Sequence, residues 1–181
     1  MKKQISKFTK VLIANRGEIA LRAVKIAKKH KIQSVAIHST ADRSSQHVLQ
    51  ADEAICIGPA PSSKSYLAKN AIIHIALSLS CDAIYPGYGF LSENAEFVDL
   101  CETNDIKFIG PAAESIRQMG DKSTARQIAI KNKVPVVPGS DDSYETEKDA
   151  LRVAHSVDFP ILLKARAGGG GRGMQLSLIH I

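Results

Sequence analysis

The sequence contains no tryptophan, and aromatic residues make up only 5% of it. That leaves no stacking platform for single-stranded nucleic acid. The three cysteines, Cys56, Cys81 and Cys101, are odd in number and widely spaced, and no CxxC or Cys/His ligand pattern occurs. Their spacing argues against a zinc site or a disulfide framework and for buried free thiols in a reducing cytosol. No apolar run approaches the ~20 residues that span a membrane. The basic opening from Met1 to Lys10 is not followed by the apolar stretch of a secretory signal. The expectation is a soluble, cytoplasmic protein that engages neither nucleic acid nor membrane.

What is present is ordinary for a globular chain: 181 residues, 44% of them apolar and 23% charged. That length builds one domain with a core, or one domain and part of a second. The formal charge of +6 permits contact with an anion such as a nucleotide phosphate. The densest basic run, Lys25 to Lys31, falls on an expected helix and reads as a solvated face.

Short apolar runs alternate with helix-period segments. Strands are expected at Val11–Ala14, Ser34–Ile37, Glu53–Ile57, Asp82–Tyr85 and Lys107–Ile109. Helices are expected at Gly17–His30, with Ile19, Ala20, Ala23, Ile26 and Ala27 on one face, and at Tyr66–Ser80 and Ala95–Asn104. This alternation predicts an α/β fold, a Rossmann-like parallel sheet covered on both faces. Ligands of such sheets sit at the carboxyl ends of the strands, here Asn15 to Glu18, His38 to Thr40, Pro86 to Gly89 and Gly110-Pro111. After Pro111 the character changes. Helices are expected at Ala112–Met119, Lys122–Asn132 and Thr146–Ser156, with strands at Ile161–Lys164 and Met174–Leu176. The boundary is placed near Ile116, giving domains 1–116 and 117–181.

The most informative feature is the run Gly168-Gly169-Gly170-Gly171-Arg172-Gly173, which joins the last two strands. Successive glycines leave backbone N–H groups free to converge on phosphate oxygens, and Lys164 and Arg172 add positive charge. No Gly-Lys-Ser/Thr closes the run, so it is not a Walker A loop. A phosphate flap is favoured over a plain linker. At Asn15 to Glu18 a single glycine stands where a dinucleotide site wants three, which speaks against NAD. Pro86-Gly87-Tyr88-Gly89 turns sharply and presents Tyr88 over the crevice; a tight turn with a packing tyrosine is the plainer alternative. Ser92 or Asn94 serves as the next helix's N-cap. Lys122, opening a helix after Gly120-Asp121, is either an anion contact or a solvated lysine. The histidines show no metal spacing, and no metal ligand is assigned.

Together, Ile13 to Ala20, Tyr85 to Asn94, Met119 to Lys122, Val137-Pro138-Gly139 and Gly168 to Met174 resemble the signature series of biotin carboxylases, in order and approximate spacing. The resemblance runs from Lys10 to Met174. Ile57 to Pro61 with Ser65-Tyr66-Leu67 looks most like the bacterial acetyl-CoA carboxylase subunit; propionyl-, methylcrotonyl- and pyruvate carboxylases share most of the rest. The resemblance implies a pre-ATP-grasp domain followed by the start of an ATP-grasp domain. It implies an ATP-dependent ligase in which bicarbonate is phosphorylated and carrier-bound biotin is carboxylated. By the same resemblance Lys122 contacts ATP, Lys164 reaches its phosphates, and the flap from Gly168 to Gly173, Arg172 included, closes over them. Met174 lines the adenine pocket, and Tyr88 lies near biotin. Implied cofactors are ATP, Mg2+ or Mn2+, and biotin as carrier-bound substrate. Implied partners are a biotin carboxyl carrier protein, a carboxyltransferase and a second copy of the full-length chain.

Arg166 and Ala167 depart from the Ser and Gly of many members, and Tyr85 replaces a common histidine. The family's metal-binding glutamates, catalytic arginine and bicarbonate-holding residues are expected beyond Ile181, so this polypeptide alone is expected to be inactive. Residues 176–181 read as an artefactual tail: one reverse translation, CTGTCTCTTATACACATC, looks like a transposase end used in sequencing libraries. A stand-alone nucleotide-binding module is the competing reading, and a dehydrogenase a weaker one.

Overall fold

The computed structural model describes residues 8–137, 144–157, 160–164 and 174–177, and the chain divides into two compact units, 1–116 and 117–181.

In the first unit five strands form one parallel sheet in the order β3-β2-β1-β4-β5. They are β1 (Lys10–Ile13), β2 (Gln33–Ser39), β3 (Glu53–Gly58), β4 (Ala83–Tyr85) and β5 (Lys107–Phe108). Between them run α1 (Gly17–Lys29), α2 (Gln46–Gln50), α3 (Lys69–Ser78) and α4 (Ala95–Thr103), and α5 (Ala113–Gly120) follows. Leu12 and Ile13 are both buried yet belong to different clusters. Leu12 joins Val35, Ile37, Ile72, Ile84, Phe97 and Phe108 on one side. Ile13 joins Ala20 and Val24 of α1 on the other. Alternation along a strand sends neighbours to opposite faces, so a run buried throughout needs helices on both. Each such side chain removed from water contributes about 1.5–3 kcal/mol.

Three details depart from the expectations. The helix foreseen from Tyr66 begins at Lys69, because Tyr66 is fully buried and hydrogen-bonded to Asp42 ahead of it. On α1 the inward face is Ala20, Val24 and Ala27, whereas Ile26 is 49% exposed. The three cysteines are free, but only Cys81 and Cys101 are buried; Cys56 is exposed on the edge strand β3, where alternation turns it away from the core that Ile55 and Ile57 pack against. Burial raises the Cys81 thiol to about 11 and the Cys101 thiol to about 12.

In the second unit α6 (Lys122–Lys131) and α7 (Glu147–Val157) accompany an antiparallel pair, β6 (Ile161–Lys164) and β7 (Met174–Ser177). No helix among the described residues is long and apolar enough to cross a membrane.

Candidate functional site

The strand order places a topological switch at β1, whose two neighbours are β2 and β4. The chain leaves β1 toward one side of the sheet and returns to β4 on the other, so connections diverge there and open a crevice at the strands' carboxyl ends. Two segments border it, Asn15-Arg16 after β1 and Pro86 to Phe90 after β4, and they are bonded together. The Ala14 N–H donates to Tyr85 O at 2.8 Å. Asn15, 1% exposed, donates through Nδ2 to Pro86 O at 2.7 Å and Tyr88 O at 2.9 Å, and its Oδ1 accepts from the Arg16 N–H at 2.8 Å.

The turn itself is strained. Gly87, Gly89 and Phe90 have φ of +66°, +71° and +42°. The glycines take this region at no steric penalty, while Phe90 does not. Asn94 then caps α4, its side chain accepting from the Phe97 N–H at 2.8 Å. Tyr88 projects from the turn and is 68% exposed.

A second cluster adjoins the first. Asp42 accepts hydrogen bonds from Tyr66 Oη (2.6 Å), Ser39 Oγ (2.8 Å) and the Arg16 guanidinium. Burial pushes the Asp42 carboxyl upward, but these three donors outweigh it and hold it below the ordinary aspartate value. Burial and the carboxylate together raise the Tyr66 hydroxyl to about 12. Arg16 also lies 5.5 Å from the Tyr66 ring centroid. Phe90 stacks on that same ring with centroids 5.1 Å apart and planes 16° from parallel.

Beneath them His47 is wholly buried, and neither ring nitrogen makes a hydrogen bond of ordinary geometry among the described residues. Sequence reasoning missed Asp42, Tyr66 and His47. The available signal was an aspartate three residues after the strand-end Ser39; Tyr66 was hidden inside an apparently helical stretch.

In the second unit Lys122 is the first residue of α6, whose N-cap Asp121 accepts from the Thr124 N–H at 2.8 Å. Lys164 ends β6 and Met174 opens β7; they are direct partners in the antiparallel register, and both are exposed. Directly opposed residues of such a pair share a face, so Lys164 and Met174 stand together at the end of the hairpin where the connecting segment leaves β6 and enters β7. Gly168, Gly169, Gly170, Gly171, Arg172 and Gly173 lie outside the described residues, as do Arg166, Ala167 and residues 178–181. Among the described residues no three His, Cys, Asp or Glu side chains gather to hold a metal ion.

Residues 7–116 match the family described as biotin carboxylase, N-terminal domain, and residues 121–178 match the carbamoyl-phosphate synthase L chain, ATP binding domain. The biotin carboxylase of Nostoc sp. is 54% identical over 170 residues, covering 94% of this chain and 38% of that protein. The mitochondrial propionyl-CoA carboxylase alpha chain of Mus musculus is 49% identical, with 94% and 24% covered. The crystal structure of the Campylobacter jejuni biotin carboxylase–β,γ-ATP complex superposes with a TM-score of 0.91 at 48% identity, covering 94% of this chain and 38% of that one. The chain thus spans little more than a third of the length of the biotin carboxylases it matches. With more than half of its residues inside the N-terminal domain match, and with a crevice-forming parallel sheet followed in sequence by a match to an ATP binding domain, the chain belongs to the biotin carboxylase family.

Proposed function

We propose that this chain provides the acceptor-facing crevice and the first nucleotide contacts of a full-length biotin carboxylase. That enzyme carboxylates carrier-bound biotin with bicarbonate and ATP. In this reading residues 1–116 are the pre-ATP-grasp domain and residues 117–181 the opening of the ATP-grasp domain. The carrying observation is the pairing of Lys164 with Met174 at the connected end of a hairpin whose connection contains four consecutive glycines. A cation and an apolar thioether on one face suit a nucleotide, the first toward phosphate and the second toward the base. Lys122 at a helix start adds a second cationic contact to ATP. Gly168 to Gly171, Arg172 and Gly173 form the covering flap, and Tyr88 faces biotin.

The finer assignment is the acetyl-CoA carboxylase subunit of a cytoplasmic fatty-acid-forming system. Its partners are a biotin carboxyl carrier protein, a carboxyltransferase and a second copy of the enzyme. The similarity to the Nostoc protein supports it. The similarity to a propionyl-CoA carboxylase chain supports the second reading, the same half-reaction serving another acyl-CoA. The first half-reaction is tested by ATP cleavage in the full-length enzyme with bicarbonate and free biotin. Cleavage that requires both is expected; cleavage indifferent to biotin overturns the reading. Transcarboxylation to acetyl-CoA against propionyl-CoA in the reconstituted system separates the two acyl-CoA assignments.

A further inference from the structure

The turn that carries Tyr88 is held more firmly than a strand-to-helix connection requires. Three of the four residues from Gly87 to Phe90 have positive φ, and one of them is not glycine. Such strain persists only where the surroundings over-determine the conformation. Here they do so from two sides.

On one side the buried Asn15 amide spends both donors on Pro86 O and Tyr88 O, and its carbonyl oxygen takes the Arg16 N–H. A Cβ on Gly87 would stand 2.6 Å from Ile19 Cγ2 and 2.9 Å from Asn15 Nδ2, so the backbone is pressed against α1 as well. On the other side the Phe90 ring lies on Tyr66, itself fixed by Asp42 and by the Ser39 N–H (3.0 Å). Arg16 closes the circuit, bonding Asp42 through its guanidinium and Asn15 through its backbone. In the middle of this ring of contacts Tyr88 is left exposed at the switch point of the sheet. A helix start needs only its cap, which Asn94 supplies. The Asn15 amide bonds to Pro86 O and Tyr88 O and the Phe90 stack on Tyr66 are additional to that cap.

We infer that Asn15, with the Tyr66–Phe90 stack opposite it, positions Tyr88 against a small, flat, neutral acceptor in the crevice. The inference rests on the proposed function, which makes that acceptor the bicyclic ureido ring of biotin. An aromatic ring offers such a group a rigid face and one hydroxyl donor. A fixed turn spares the ordering that a mobile one would undergo on binding.

Asn15→Asp keeps the side chain's size and puts a carboxylate where two carbonyl oxygens need a donor. Phe90→Leu removes the stack from the opposite side. In the full-length enzyme each should raise KM for free biotin by roughly fivefold to a hundredfold, the loss of one or two hydrogen bonds or an equivalent packing contact. KM for ATP should stay within about twofold, since neither residue is among the proposed nucleotide contacts. In the 181-residue chain, amide exchange of Phe90 to Asn94 should accelerate, with that of Gln33 to Ser39 unchanged.

An unaltered biotin KM in the folded variants overturns the inference, as does an equal rise in both KM values with a lowered melting temperature. Should Asn15→Asp not fold, Phe90→Leu decides by the same criteria. If the parent enzyme shows no biotin-dependent cleavage, the proposed function fails. The exchange measurement then judges the clamp by itself: unaccelerated exchange in Phe90 to Asn94 overturns it.

Discussion

The Tyr66 hydroxyl donates to Asp42 Oδ2 at 2.6 Å and accepts from the Ser39 N–H at 3.0 Å, joining the end of β2 to the segment before α3. Both residues are buried, so the bond is shielded from competing water. Tyr66→Phe leaves the ring stack in place and deletes only the oxygen. It strands the Ser39 N–H and removes one of three donors from a buried carboxylate. The expected loss is about 1–3 kcal/mol of folding stability, read as a lower urea midpoint. An unchanged midpoint would show that water replaces the hydroxyl without penalty.

Gly87 and Gly89 make a matched pair for testing the turn. Both have positive φ, but an added Cβ collides at Gly87 and meets nothing within 4 Å at Gly89. Gly89→Ala should cost only the backbone term, about 1 kcal/mol. Gly87→Ala adds the clash with Ile19 and Asn15 and should cost about 1–3 kcal/mol more. Thermal melting of both variants checks the order. Equal losses would mean that α1 gives way.

The sheet was legible because hydrophobic runs short enough for strands alternated with helical periods, and all five of its strands begin within one residue of their expected positions. The strand-end rule likewise found Asn15 and the Tyr88 turn. The Asp42–Tyr66 contact was not legible. It joins residues 24 apart, and Tyr66 beside Leu67 and Ala68 satisfies a helical pattern that only burial against Asp42 overrules. Ile26 failed for a related reason: periodicity marks a stripe on α1, but the neighbouring layer decides that Val24 is covered and Ile26 is not.

Two separate losses of stability are expected on acidification. His47 is held below its ordinary 6.5, chiefly by burial and further by His38 and Arg16, against opposing pulls from the Ile37 backbone and Asp42. The unfolded chain therefore takes up a proton at pH values where the folded chain does not. Stability is full above about 6.5 and declines as pH falls toward the folded value. Asp82 accepts from Thr9 Oγ1 and N at 2.6 Å and from the Lys10 N–H at 2.9 Å, and Asp52 from Ser34 Oγ at 2.7 Å and N at 2.8 Å. These bonds hold both carboxyls below 3.8, and Asp42 is lowered too. Their contribution is present above 3.8 and lost as pH falls below it. Urea midpoints across pH should show both declines. His47→Phe should abolish the upper one and keep the lower; persistence of the upper decline would assign it to another histidine.

Lys164 and Lys122 test the nucleotide end. Lys164 is exposed at the last position of β6, opposite Met174, and Lys122 is exposed at the first position of α6. Neither side chain fills a core, so truncation should leave the melting temperature almost unmoved. A charge-assisted contact to phosphate is worth about 1.5–3 kcal/mol, or roughly tenfold to somewhat over a hundredfold in affinity. In the full-length enzyme Lys122→Ala and Lys164→Ala should therefore raise KM for ATP by that factor, with biotin KM little changed. Lys164→Arg keeps the charge but exchanges a compact ammonium for a planar fork, so it should recover part of the loss. A variant with normal ATP dependence marks its lysine as a solvated surface residue. If both behave so, this end of the hairpin loses its claim to the phosphates and the glycine connection is only a linker.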